Sequence, residues 1–208
     1  EGTPRLVDSG ITFKWPWPID KAYVYHTKKI KELQVGYVPK IDPETGLPER
    51  GPLLWGKNHY QQEYNLLVAS RQTSQNSVGA VPVSIVKANI PVQYKIKNLY
   101  SFLYDHKNPQ QLLESICYRE LAYFGASATI EVDTPSGLEH SLFGAGRAQA
   151  KKILTERMQA AADRENLGVE IVLVGLQGIH PPAEVAKDYQ QVVAAVQKKQ
   201  AHILNAYA

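Results

Sequence analysis

The sequence predicts an α+β fold: two small mixed lobes followed by a long C-terminal helix that begins a coiled coil. β-patterned runs fill the first half of the chain and helical patterns the second, with a strand pattern, Val169 to Val174, returning before the last helix. Elements segregated in this way favour α+β over a doubly wound sheet, in which strands and helices alternate. Val86, Ala88, Ile90, Val92, Tyr94 and Ile96 alternate with Lys87, Asn89, Pro91, Gln93, Lys95 and Lys97, the signature of a strand with one buried and one wet face. Val185, Tyr189, Val192, Val196, Lys199, Ile203 and Ala206 recur every four then three residues, a heptad seam. The expected divisions are 1–79, a β-rich lobe; 80–181, a second α+β lobe; and 182–208, the start of the long helix.

A chain of 208 residues with 44% hydrophobic content has enough apolar surface for real cores. Its formal charge of +3 is a mild basic bias that implies no nucleic-acid partner. The only basic stretch with interleaved aromatics is Tyr94 to Tyr104 with Lys95, Lys97 and Lys107. A single cysteine, Cys117, excludes an internal disulfide and a cysteine-rich metal site. No run reaches the ~18 apolar residues of a membrane span. Glu1 in place of Met carries the expectation of an upstream segment, an anchor included.

Taken in order, Gly10 to Ile19 holds Trp15 and Trp17 beside Pro16 and Pro18, which extends the backbone and displays large amphipathic rings. Such rings suit either a membrane–water boundary, with Trp15, Trp17 and Ile19 as contacts, or the cover of a small β core. Lys21 to Tyr37 reads as strands, and Pro39 to Pro52 as a hairpin tip or an insertion. Leu53 to Trp55 and Tyr64 to Arg71 read as further short strands. Pro91 cannot donate to a ladder, so its strand is expected at an edge or bulged there. Asn108-Pro109 opens a helix whose inward stripe is Leu113, Ile116, Cys117, Leu121 and Phe124, with Gly125 as its end. Cys117 belongs to that stripe and is read as packing, not as a nucleophile. Ala126 to Pro135 is β-like, and Ser136 to Glu139 is a capping box. A helix from about Arg147 to Asn166 turns Ala150, Leu154, Met158 and Ala161 inward and stops at Gly168. Pro182 suits the first turn of the last helix, and Glu184 and Asp188 favour its positive end. Nothing closes that pattern before Ala208, so its ~26 residues give about 39 Å of helix that looks cut there, the alternative being a terminal helix packed back on its own core.

These motifs, in this order, resemble the SPFH family of stomatin, prohibitin, flotillin and HflK/HflC, also called Band 7. The matching residues are Gly10-Ile11 through Trp15-Pro16-Trp17-Pro18-Ile19, Val92 to Ile96, Gly146-Arg147, Gly168 to Ile171, and Pro181-Pro182-Ala183-Glu184-Val185. The tryptophan–proline stretch looks most like the HflK branch. The resemblance implies a membrane-anchored protein, in the inner membrane if bacterial, with the lobe of residues 1–79 proximal to the membrane. It implies assembly with other SPFH subunits through the long helix, at Val185, Tyr189, Val192, Val196 and Ile203. It also implies organisation of lipid patches or control of a membrane-anchored FtsH-type protease. The chain departs from the family pattern in the Pro39–Pro52 loop and in an insertion, Val132 to Phe143.

No catalytic, cofactor or metal site is expected. The six histidines, His26, His59, His106, His140, His180 and His202, form no ligand-spaced pair. Gly144-Ala145-Gly146 lacks a phosphate-binding lysine in register and reads as a helix boundary, and no Gly-x-Ser-x-Gly elbow occurs. Lys28, Lys29 and Lys31 read as a solvated strand face that would touch lipid phosphates if the Trp15/Trp17 end faces a membrane. The leading function is a membrane-associated oligomeric scaffold, not an enzyme. The rival is a hydrolase whose triad is assembled only in three dimensions.

Overall fold

A computed structural model describes residues 4–49, 54–57, 60–69, 83–127, 147–176 and 178–206. Its strands are β1 (Lys31–Val35), β2 (Tyr37–Val38), β3 (Gln62–Ala69), β4 (Val83–Ile96), β5 (Val169–Val174) and β6 (Gly178–His180). Its α-helices are α1 (Pro109–Ser127), α2 (Arg147–Arg164) and α3 (Ala183–Ala206). The expected α+β class is what forms: an antiparallel sheet with helices against it.

The alternating strand is β4, and it is the axis of the sheet. Its first half pairs with β3 (Tyr64↔Ala88 to Ala69↔Val83) and β6 (Lys87↔His180 to Asn89↔Gly178). Its second half pairs with β1 (Lys31↔Tyr94 to Val35↔Ile90) and β5 (Val92↔Val174 to Ile96↔Val169). Strands from either side of the expected boundary at residue 79 therefore share one sheet.

Pro91 sits mid-strand, not at an edge. Its carbonyl accepts from the Gly175 N–H at 2.8 Å, so its nitrogen faces the connection between β5 and β6, where no ladder bond is lost. The bulge lies two residues on, between Gln93 and Tyr94. Gly36, at φ +87°, lets the chain leave β4 as its partner and take up β3. Its N–H donates to Tyr118 Oη at 2.9 Å.

The apolar face of β4 (Val86, Ala88, Ile90, Val92, Tyr94, Ile96) is buried under α1 and α2. Leu113, Ile116, Cys117, Leu121 and Phe124 of α1 and Ala150, Leu154, Met158 and Ala161 of α2 are buried, as their spacing predicts. The Asn108 side chain caps α1 by accepting from the Gln111 N–H at 3.5 Å. Gly125 does not end α1, which runs on to Ser127. It is there for close approach: a Cβ would meet the Leu66 side chain and the Leu67 carbonyl, both at 2.8 Å. Beyond α2, Asn166 and Gly168 take φ values of +52° and +70° and turn the chain into β5.

Residues 21–30 form no strand, β structure beginning only at Lys31, because Tyr23, Val24 and Ile30 find no apolar surface to cover and remain exposed. Leu54 and Trp55 lie in a turn, not a strand. Residues 39–49 form a hairpin tip closed by an Ile41↔Pro48 bridge, with Gly46 at φ +66°. Of the expected β-like run, Ala126 and Ser127 instead form the last residues of α1; its remainder to Pro135, the capping box at Ser136, the insertion Val132 to Phe143 and Gly144 to Gly146 lie outside the described residues.

Candidate membrane-facing arm and assembly helix

Residues 4–30 extend from the sheet as an arm. A turn at Pro16 to Ile19, closed by the Ile19 N–H on the Pro16 carbonyl at 3.0 Å, is tied down by the Trp15 N–H donating to Asp20 Oδ2 at 2.8 Å. With the backbone held locally, the side chains are free to point outward. Trp15, Trp17 and Ile19 are 69%, 75% and 70% exposed, so neither ring covers a β core. Leu6, Ile11, Phe13 and Tyr23 are exposed on the same arm. Lys14, Lys21, Lys28 and Lys29 are exposed among them. This many large apolar groups in water exceeds the scattered exposure of an ordinary surface.

α3 begins where the sequence places it, just after Pro182, with the Val185 N–H donating to the Pro182 carbonyl at 3.1 Å. Among the described residues its packing on the domain lies in the first turns: Ala186 is buried, and the Tyr189 ring lies 5.9 Å from that of Trp55. Farther along, Val192 is 50% and Ile203 38% exposed, and Val193 and Leu204 are exposed as well. Of the expected seam, Val185 and Val192 face solvent and Tyr189 is half-buried. Val196 lies within the helix.

Two interior polar groups escaped the sequence reading. Glu120, on α1, is buried with Arg119 Nε at 3.4 Å, Arg157 Nε at 3.3 Å and Arg164 Nη2 at 3.9 Å around its carboxylate, an ionic tie between α1 and α2. Glu63 on β3 faces His180 on β6, Oε1 to Nε2 at 3.4 Å. No spacing links residues so far apart, and the only sequence signal was a charged residue in an otherwise apolar stripe, as Glu120 is. Cys117 is sealed in the core, and burial, with Glu114 and Glu120 nearby, pushes its thiol up to about 12. Among the described residues no cluster of metal-ligating side chains occurs, and no helix is long and apolar enough to cross a membrane.

The domain is an antiparallel sheet backed by helices, with large aromatic and aliphatic side chains exposed on residues 4–30 and apolar side chains exposed along its last helix. The chain matches the SPFH domain / Band 7 family over residues 2–208 and belongs to that family. It is similar to Protein HflK of Borreliella burgdorferi, 21% identical over 200 residues that make up 96% of this chain and 54% of that protein. It is also similar to Protein HflK of Vibrio cholerae, 23% identical over 125 residues, 60% of this chain and 29% of that protein. The chain thus spans about half the length of the first relative and less of the second. The family is membrane-associated and of the scaffold type, and the HflK relatives agree with the branch read from the tryptophan–proline stretch.

Proposed function

We propose that the chain is the membrane-proximal part of an oligomeric scaffold that organises a membrane patch and regulates a membrane-anchored protease of the FtsH type. In this reading the three divisions are divisions of labour. Residues 1–79 meet lipid through Trp15, Trp17 and Ile19; residues 80–181 supply most of the packed body; and residues 182–208 bring like subunits together through Val185, Tyr189, Val192, Val196 and Ile203. The chain performs no chemistry of its own.

The observation that carries this reading is the exposure of large apolar side chains on the two elements outside the core, the arm and α3. Tryptophan is favoured at the lipid–water boundary, and neighbouring lysines add attraction to anionic headgroups of about 1 kcal/mol each. Each indole that leaves water contributes roughly 2–3 kcal/mol. Replacing Trp15 and Trp17 by serine therefore weakens flotation with anionic liposomes by at least about 30-fold, while thermal unfolding stays where it was. Unchanged flotation would count against the membrane role of the arm.

A further inference from the structure

His180 is the last residue of β6 and is followed at once by Pro181, Pro182 and α3. Its Nδ1 lies 2.8 Å from the Pro181 carbonyl oxygen. A carbonyl only accepts, so Nδ1 carries a hydrogen. Nε2 then faces Glu63 Oε1 at 3.4 Å, with both side chains sealed from water, 3% and 5% exposed. If the ring is neutral, its Nε2 lone pair is turned on a carboxylate oxygen, two acceptors in a dry contact. One further proton between them converts that opposition into a charge-assisted hydrogen bond.

We propose that Glu63 and His180 form a proton-dependent latch that holds the root of α3 against the sheet, closed while the pair shares a proton and released when that proton is lost. The groups around the pair fit this assignment. On β4, Lys87 is the register partner of His180, and the neutral Asn89 is buried and leans over Gly178, where any Cβ would strike its side chain. Beside Glu63 is Tyr60, whose phenol is pushed up by burial and then by the Glu63 carboxylate, and the Tyr37 ring lies tilted against that of Tyr60 with centroids 4.5 Å apart. On α3, Glu184, Lys187 and Asp188 are exposed and turned to solvent. Loss of the shared proton weakens a contact at the root of α3, whose first turns pack through Ala186 and the Trp55–Tyr189 contact.

Trp55 reports on the latch. In a Trp15→Phe/Trp17→Phe background its fluorescence is followed from about pH 5 to about pH 9, the range that brackets histidine titration. The latch predicts a reversible red shift as pH rises, because Tyr189 withdraws and water reaches Trp55. Glu63→Gln abolishes the pH dependence and keeps the low-pH emission throughout, since an amide N–H donates to Nε2 without any added proton. A flat profile in the unsubstituted pair, a Glu63→Gln profile that titrates in the same way, or red-shifted emission of that variant at every pH would each overturn the latch. Should Glu63→Gln fail to fold, nitrogen NMR of the His180 ring decides: Nδ1 protonated throughout with Nε2 losing its proton supports the latch, and the opposite tautomer at high pH overturns it. These outcomes concern the root of α3 within one chain, and none of them alters the lipid or assembly tests.

Discussion

Glu120 places one carboxylate under three guanidinium groups, and the burial of the partners is unequal. The glutamate side chain is 7% exposed and that of Arg164 72%. Removing Arg164 takes away a wet contact at the long end of the range, worth under about 1 kcal/mol. Removing the carboxylate takes away the common acceptor and leaves Arg157 and Arg119 to compete for water, a loss of about 1–3 kcal/mol. Urea midpoints of Glu120→Ala and Arg164→Ala should separate accordingly, and equal losses would mean that the tie is a surface network. Cys117 is the other residue-scale test. A thiol held near 12 by burial has almost no thiolate at neutral pH. The folded protein should leave a thiol reagent such as DTNB unreacted and the denatured chain should consume one equivalent; rapid labelling of the folded chain would deny its burial. Cys117 was legible because it sits on a helical stripe. Glu120 was not, because its partners on α2 lie outside α1.

Among the elements, β4 and α1 to α3 were legible because each carries its own period and its own cap or stop. The arm was harder. Residues 21–30 have β-forming composition but no partner strand, and composition does not supply one. β2 is too short to leave a pattern, yet its position follows from one residue. Gly36 adopts φ +87°, and a Cβ there would collide with the Ala88 carbonyl. Gly36→Ala should therefore cost at least about 2 kcal/mol, combining left-handed strain with overlap. Tyr118→Phe, which strips the acceptor from the Gly36 N–H, should cost about 1–2 kcal/mol. A Gly36→Ala protein as stable as its parent would show that the break between β1 and β2 is not required for the strand exchange.

At the scale of the whole molecule, the expected boundary at residue 79 falls between β3 and β4, which are hydrogen-bonded neighbours. Divided labour along the chain is thus combined with a shared sheet, and thermal unfolding should show one transition for the packed body. Two resolved transitions would make the lobes independent folding units. The arm and α3 stand outside that sheet; spacing marked α3 as a helix leaving the domain, whereas the tryptophan–proline stretch suited a membrane boundary and the cover of a β core equally. What they touch was not legible, since lipid and partner subunits leave no periodic mark on a single chain. The assembly reading rests on α3, whose apolar side chains Val185, Val192, Val193, Ile203 and Leu204 are left exposed by its own domain. The most direct test is sedimentation of a chain carried on past Ala208, with and without Val192→Asp and Ile203→Asp. The account predicts an assembly that the paired substitutions reduce to monomers while the unfolding temperature of the domain is unchanged. A monomer before substitution, or a domain that unfolds because of it, would contradict the scaffold reading.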